Sequence, residues 1–374
     1  MFGLAFLMKQ PGALFIVFGV LYLVQHRWHR LFQRNTVMEL AVFTLGSVLP
    51  FVLTCLILLR AGVIHQFVFW TFDYGRQYGS EQKLSDGIQN FLDMAPVVIG
   101  PSFFFWIMAG LGITSPLWSR EASRQTGFLG SFTICSFLAV VPGFYFREHY
   151  FVFLLPVVSL LVGVAIECTT RILQQTQSGR AFQYVPIIVL ALSSGYSLLG
   201  QRAVLFELSP NAACRDTYGA DPFVEAQVLG KYLEHQMSKD ATLAVLGSEP
   251  ELYFYSHRHS ATGYIYMYGL LEQQKFAFSM QQQMIQEVEA SHPEFLVYVD
   301  VPTSWMARTD SPEELSLRRW VMEFVSQNYE PTGIIDLLGD ETQYVWADAA
   351  ATYTPRSPYV VRVYRRKAAV SSQG

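Results

Sequence analysis

The chain has 374 residues, 51% of them hydrophobic and only 15% charged, with a formal net charge of −4. An ordinary soluble domain carries roughly 25% charged residues, and here the deficit is uneven: residues 1–200 hold 12 Lys/Arg against 8 Asp/Glu, and residues 201–374 hold 14 against 22. This split argues for lipid around the first part and water around the second, and the acidic second part argues against nucleic-acid binding.

In chain order, apolar runs fall at 11–25, 38–60, 94–114, 127–146, 150–168 and 184–200. A membrane-crossing helix needs about 20 such residues. The first run is short and follows another apolar piece, MFGLAFLM, with Lys9 between them. No secretory cleavage pattern follows, so the reading is that Met1 falls inside a longer helix pair. The segment after the first run carries Arg27, Arg30 and Arg34 without an acid. Residues 61–93 carry Asp73, Glu81, Asp86 and Asp93 against Arg76 and Lys83. The 115–126 loop has Arg120 and Arg124 against Glu121, and the 169–183 loop has Arg171 and Arg180. Basic loops stay in the cytoplasm. The 61–93 loop, the Arg147 hairpin and everything after about Gly200 are therefore expected outside a multi-pass inner or plasma membrane. Cys55, Cys135 and Cys168 sit in apolar runs as small hydrophobes, and Cys214 is alone in the polar part, so no disulfide can form within that part and no CxxC metal pattern exists.

Between the fourth and fifth runs stands GFYFREHYFVFLLP, Gly143–Pro156, which sets Arg147, Glu148 and His149 at membrane level. Ionisable groups there are costly and usually face a cavity or a substrate path. Lys9 and the aromatic stretch HQFVFWTFDYGRQYG, His65–Gly79, are expected at the same outer level. Any one of these residues alone could be an arginine or lysine snorkelling to head groups. Three polar clusters at one depth favour a site.

After Gly200 the pattern is that of a small α/β domain. Helices are expected at 222–237, with Asp221 as N-cap and Pro222 first, at 268–291, and at 311–329 with Ser311 as cap. Strands are expected at Thr242–Gly247 and Glu294–Asp300, in TGIIDLL, and at Tyr359–Arg366. His257 and His259 lack a clear third metal ligand, so a surface turn is the commoner cause. Glu249 and Glu251 read as helix N-terminal acids. No Gly-rich phosphate loop follows a strand, and the tail after Arg366 reads as disordered.

GFYFREHYFVFLLPVVSLLVGVAI resembles a segment of bacterial polytopic glycosyltransferases of the GT-C class, the family 39-like relatives of dolichyl-phosphate-mannose-protein mannosyltransferases that include the RgtA/B/C/D-like proteins. His149, Tyr150, Leu155 and Pro156 match that stretch. GLAFLMKQPGALF resembles the family's Gly-Leu-Ala…Lys turn, with Lys9 in the lysine place. YGADPFVEAQVLGKYL and LGSEPELYFYSHRHSATGY resemble the opening of its outer C-terminal domain. The resemblance implies an α-helical polytopic membrane domain over 1–200, GT-C-like, with about six transmembrane helices and incomplete at its N-terminus. A small extracytoplasmic (periplasmic) α/β domain over 201–367 and a disordered tail over 368–374 would follow.

The implied chemistry is transfer of a sugar from a polyprenyl-phosphate carrier to an unidentified acceptor at the outer face. Lys9, Arg147, His149, Tyr150 and, more weakly, Arg76 would bind the donor phosphate. An arginine fork can hold two phosphate oxygens, whereas lysine acts as a point charge. The family's acidic base is expected upstream of Met1, so the catalytic residue is not identified in this chain. Asp73 and Glu148 stand at the right level but match no family acid. No cofactor is evident, and a divalent metal stays open. The partners implied are the polyprenyl-phosphate-linked sugar, membrane lipid and the acceptor. The alternative is a non-catalytic membrane subunit that binds a lipid carrier or scaffolds envelope glycan assembly. A transporter fits less well, because the ionisable groups collect at the ends of spans and not at the midplane.

Overall fold

The structure, a computed structural model, describes residues 1–80, 82–176, 181–272, 274–305, 311–339 and 341–368. Glu81, Arg180 and the expected disordered tail beyond Ala368 lie outside the described residues. The chain divides into two compact units, Met1–Phe206 and Glu207–Gly374.

The first unit is helical. Helices α1 (Phe2–Met8), α2 (Ala13–His26), α3 (Arg34–Arg60), α4 (Ile64–Val68), α5 (Gly75–Gly79), α6 (Leu84–Ile99), α7 (Phe103–Thr114), α8 (Arg120–Arg124), α9 (Thr126–Leu138), α10 (Leu155–Gln175) and α11 (Val185–Gly200) follow in order. Four helical stretches are long and apolar enough to cross a membrane: Arg34–Arg60, Leu84–Leu117, Glu148–Gln175 and Phe182–Gly200. Two apolar helices are shorter, Gln10–His26 and Thr126–Leu138. Leu45, Leu53, Leu56 and Ile57 of α3 and Ile187, Ile188 and Leu192 of α11 lie exposed. In water so wide an apolar surface would be a liability; against lipid it is the solvated face. Pro50 inside α3 is tolerated, with Thr54 Oγ1 donating to its carbonyl at 2.9 Å.

The interior of this unit gathers Met108, Leu129, Val140, Phe146, Phe151, Val157 and Leu161. Helices α7 and α10 touch backbone to backbone at Gly112, where a Cβ would overlap the Leu161 carbonyl. Small residues let membrane helices approach in this way, since lipid tails offer no hydrophobic drive between them.

Two sequence expectations change here. The 127–146 run is helical only to Leu138, because Pro142 cannot donate and Gly143, Phe144 and Phe146 take left-handed backbone (φ 81°, 56° and 45°). The 94–114 run begins earlier, at Leu84, because its polar residues find partners: Gln89 Nε2 donates to Asp93 at 2.8 Å and Asn90 Nδ2 to the Phe144 carbonyl at 3.0 Å. The segment after α2 has no acid of its own, and Arg27 reaches into α3, donating to Glu39 at 2.9 Å and tying the end of α2 to the start of α3.

The second unit is an α/β layer. It contains α12 (Pro210–Tyr218), α13 (Phe223–Gln236), β1 (Thr242–Leu246), α14 (Glu251–Ser256), β2 (His259–Ser260), α15 (Tyr268–Leu271), α16 (Ala277–Ser291), β3 (Phe295–Asp300), α17 (Pro302–Trp305), α18 (Pro312–Asn328), β4 (Tyr329–Leu337), β5 (Thr342–Trp346), α19 (Asp348–Thr352) and β6 (Val360–Arg366). The six-stranded sheet has the order β2-β1-β3-β6-β4-β5. Strand β1 runs parallel to β2 and β3, while β6 is antiparallel to both β3 and β4, and β5 closes a hairpin on β4. Leu229, Leu233, Leu243, Val245, Val297, Ile335 and Val363 fill its core.

Ser311 caps α18 by accepting from the Glu314 amide at 3.2 Å. Asp221 does not cap α13: Pro222 stands at the cap position, and the Asp221 carboxylate accepts instead from the Thr303 hydroxyl. The helix expected over 268–291 is two, because the Gln274 side chain takes over the chain's hydrogen bonds. Its amide donates to the Gly269 carbonyl and its oxygen accepts from the Phe276 N–H, each at 2.7 Å.

Asp336 is fully buried on β4 and accepts from the Tyr353 hydroxyl and from the Arg356 and Ser357 amides at 2.9, 2.7 and 3.1 Å. Burial pushes its carboxyl up, but these donors outweigh it and hold it below the usual carboxylate range. Asp336→Ala is expected to destabilise this unit by about 3 kcal/mol, as hydrogen bonds to a buried charged acceptor are lost. An unchanged thermal midpoint would show that the 353–357 turn is held by other means.

Candidate functional site

Between α1 and α2 the chain must break, because Pro11 cannot continue the first helix. Lys9 takes the extended conformation at this break, with its amide donating to the Ala5 carbonyl at 3.1 Å. The ammonium lies 3.9 Å from the centroid of the Tyr150 ring and 6.0 Å from that of Phe153. A cation over an aromatic face is held by the ring quadrupole. Among the described residues, neither Lys9 nor Arg147 takes part in an ion pair.

Lys9, Arg76 and Tyr150 line one hollow of about 730 Å³, a volume in the range of ligand sites. Arg76 comes from α5 and Tyr150 from the turn that leads into α10. Trp70, Thr71 and Tyr74 come from a wide π-type turn, Phe69–Tyr74, a distortion common at functional sites. Pro142 and Gly143 close another side. The left-handed Gly143 lets the wall pass close to Tyr145, which an added Cβ would crowd at 3.2 Å.

Arg147 and His149 stand beside this hollow and are not among its lining residues. The His149 ring meets the Tyr150 ring edge-on at 4.7 Å, and the Arg147 guanidinium lies 5.2 Å from the Tyr145 ring. Three of the five residues expected to bind phosphate therefore share one cavity, and the other two flank it. Gln10, Thr71 and Tyr74 also line it; the sequence reading named the stretches that hold them without picking out these residues. No Asp or Glu lines the hollow among the described residues.

Elsewhere, His257 caps α14 in left-handed backbone and its Nδ1 lies 3.0 Å from Glu234. No group of three His, Cys, Asp or Glu among the described residues is placed to hold a metal ion. Glu249 is not a solvated acid at a helix start. It is buried (3% exposed), and its carboxyl accepts from the Ser304 hydroxyl at 2.9 Å. Burial, against the pull of Ser304 and with Glu251 and Asp221 adding negative charge nearby, pushes its pKa up to about 8.

No protein-family model, curated protein or solved structure matches this chain.

Proposed function

We propose that the chain is the donor-holding part of a GT-C-type membrane glycosyltransferase. It would move a sugar from a polyprenyl-phosphate carrier to an acceptor at the outer face of the membrane. The observation that supports this is the convergence of Lys9, Arg76 and Tyr150 on one hollow, with Arg147 and His149 beside it, in a unit of helices apolar enough to cross a bilayer. In the proposed arrangement six helices cross, Gln10–His26 and Thr126–Leu138 among them. The loops bearing Arg30, Arg34, Arg120, Arg124 and Arg171 face the cytoplasm. The hollow and the domain after about Gly200 face outward.

The carrier's tail then stays in lipid while its phosphate enters the hollow. Breaking the bond between sugar and phosphate leaves negative charge on the phosphate oxygens. A fixed cation in a partly dry site stabilises that charge by about 3 kcal/mol. Lys9 is placed to do so as a point charge steadied by Tyr150, and Arg76 and Arg147 as forks that grip two oxygens.

A second reading is favoured by the lack of a lining carboxylate among the described residues. A general base must come within about 3 Å of the acceptor hydroxyl, or act through one water, and neither Asp73 nor Glu148 lines the cavity. On this reading the chain is a non-catalytic subunit that binds the carrier. The test uses the full chain in lipid nanodiscs, offered polyprenyl phosphate and then a polyprenyl-phosphate sugar. Both readings expect saturable binding and its absence rejects both, whereas sugar transfer once candidate acceptors are added selects the first reading.

Topology has its own check. A reporter fused after Gly374 is expected to be active only outside the cytoplasm, and cytoplasmic activity would invert the arrangement.

A further inference from the structure

A separate hollow opens in the second unit at the carboxyl end of β3. It measures about 200 Å³ and shares Tyr298, Asp300, Arg318 and Val321 with an adjoining depression of about 360 Å³ that reaches Arg362 and Tyr364 on β6.

The walls narrow the ligand class. Asp300 and Arg318 line both hollows, Glu314 the first and Arg362 the second, so over the pair two carboxylates balance two guanidiniums. Asp300 and Arg362 are only loosely paired, at 3.9 Å. An anion would meet the acids and a cation the arginines, and an apolar ligand would strip water from all four. A neutral ligand rich in hydroxyls satisfies both signs, because each hydroxyl donates to a carboxylate or accepts from a guanidinium in a charge-assisted bond. The rings of Tyr298 and Trp305, 5.8 Å apart, add an apolar surface, and Trp305 is fixed there by its Nε1 donating to the Val299 carbonyl at 2.6 Å. Aromatic faces beside planar charged groups suit the alternating C–H faces and hydroxyl edge of a sugar ring.

We propose that this hollow binds a pyranose unit of a neutral glycan, the next residue extending into the adjoining depression. That the glycan is the acceptor rests on the transfer reading above; the binding itself does not.

The test uses the full chain in nanodiscs and a panel of methyl glycosides of glucose, galactose, mannose and N-acetylglucosamine with their β-linked disaccharides. Binding is read by saturation-transfer NMR and by tryptophan fluorescence. At least one sugar is expected to bind saturably and to weaken tenfold or more in Trp305→Ala. Asp300→Asn, which keeps the shape of the wall, is expected to weaken it similarly at an unchanged thermal midpoint. Arg27→Ala, in the first unit and already paired with Glu39, is expected to leave it alone. Absence of saturable binding across the panel, or binding that survives both wall substitutions, overturns the proposal. Sugar binding by a chain that ignores polyprenyl phosphate would uphold the glycan site and reject the transfer reading, so the two failures are told apart.

Discussion

Lys9→Ala is expected to weaken polyprenyl-phosphate binding about a hundredfold. The ammonium stands over Tyr150 at 3.9 Å, makes no ion pair among the described residues and lines the 730 Å³ hollow. No carboxylate among the described residues competes with an incoming phosphate for it. One charge-assisted contact in a partly dry site is worth about 3 kcal/mol, which is about a hundredfold in affinity. Arg147→Ala is expected to cost less, because Arg147 flanks the hollow, and Arg147→Lys less again, since it keeps the charge and loses the fork. Arg27→Ala serves as the control: that cation is already engaged by Glu39, so its loss should leave carrier binding unchanged. The measurement is equilibrium binding of a fluorescent polyprenyl phosphate to the chain in nanodiscs. Equal affinity for all four variants and the parent would remove the phosphate-site hypothesis without touching the fold.

The second large effect concerns pH. Glu249 ionises near pH 8 in the folded chain, because burial disfavours its charge, whereas a free glutamate does so near 4.3. Below the free value both forms are protonated and the folded unit keeps its full stability. As pH rises toward 8 the unfolded chain gives up this proton and the folded chain does not, so stability drains away across that window, by an amount on the order of a few kcal/mol. Glu249→Gln imitates the protonated acid and can still accept from Ser304. The variant should match the parent near pH 4 and be the more stable by a few kcal/mol above pH 8. Hydrogen exchange of the β1 and β3 amides between pH 5 and 9 reads this directly. A parent and variant that stay parallel across the range would mean the carboxyl is solvated. Glu251 and Asp221, which add negative charge around Glu249, belong in the same series, because their removal should lower the Glu249 transition and narrow the window.

Much of this architecture is legible in single residues, and the failures are as physical as the successes. Ser311 before Pro312 announces α18 because a hydroxyl there can only help the first free amides. Asp221 before Pro222 carries the same local signal, yet a tertiary partner, Thr303, claims the carboxylate. Gln274 breaks a helix that periodicity alone would have continued, since a side-chain amide can replace two backbone partners at once. The hairpin strand β5 is not marked by strict alternation; its pairing with β4 decides it. In the first unit, apolarity counts residues but not helical ones. Val140 and Phe146 are buried in the interior although they lie past the end of α9. The candidate hollow was legible as a set of charges at one depth, Lys9 and Arg76 among them. Which of them share a wall was not, because the left-handed turn at Gly143–Phe146 sets Tyr150 facing the hollow and leaves Arg147 beside it.

The dimensions of α3 carry a last consequence. From Leu40 to Leu59, between Glu39 and Arg60, the helix is free of charge. At 1.5 Å per residue that stretch rises about 30 Å, matching the hydrocarbon thickness of a typical bilayer. In the proposed membrane arrangement the helix works as a depth gauge, with Glu39 and Arg60 marking the two water boundaries. A thinner membrane would tilt it, and the aromatic turn that begins a few residues beyond Arg60 would swing with it. In that arrangement acyl-chain length in the host membrane should tune how tightly the hollow grips the proposed carrier.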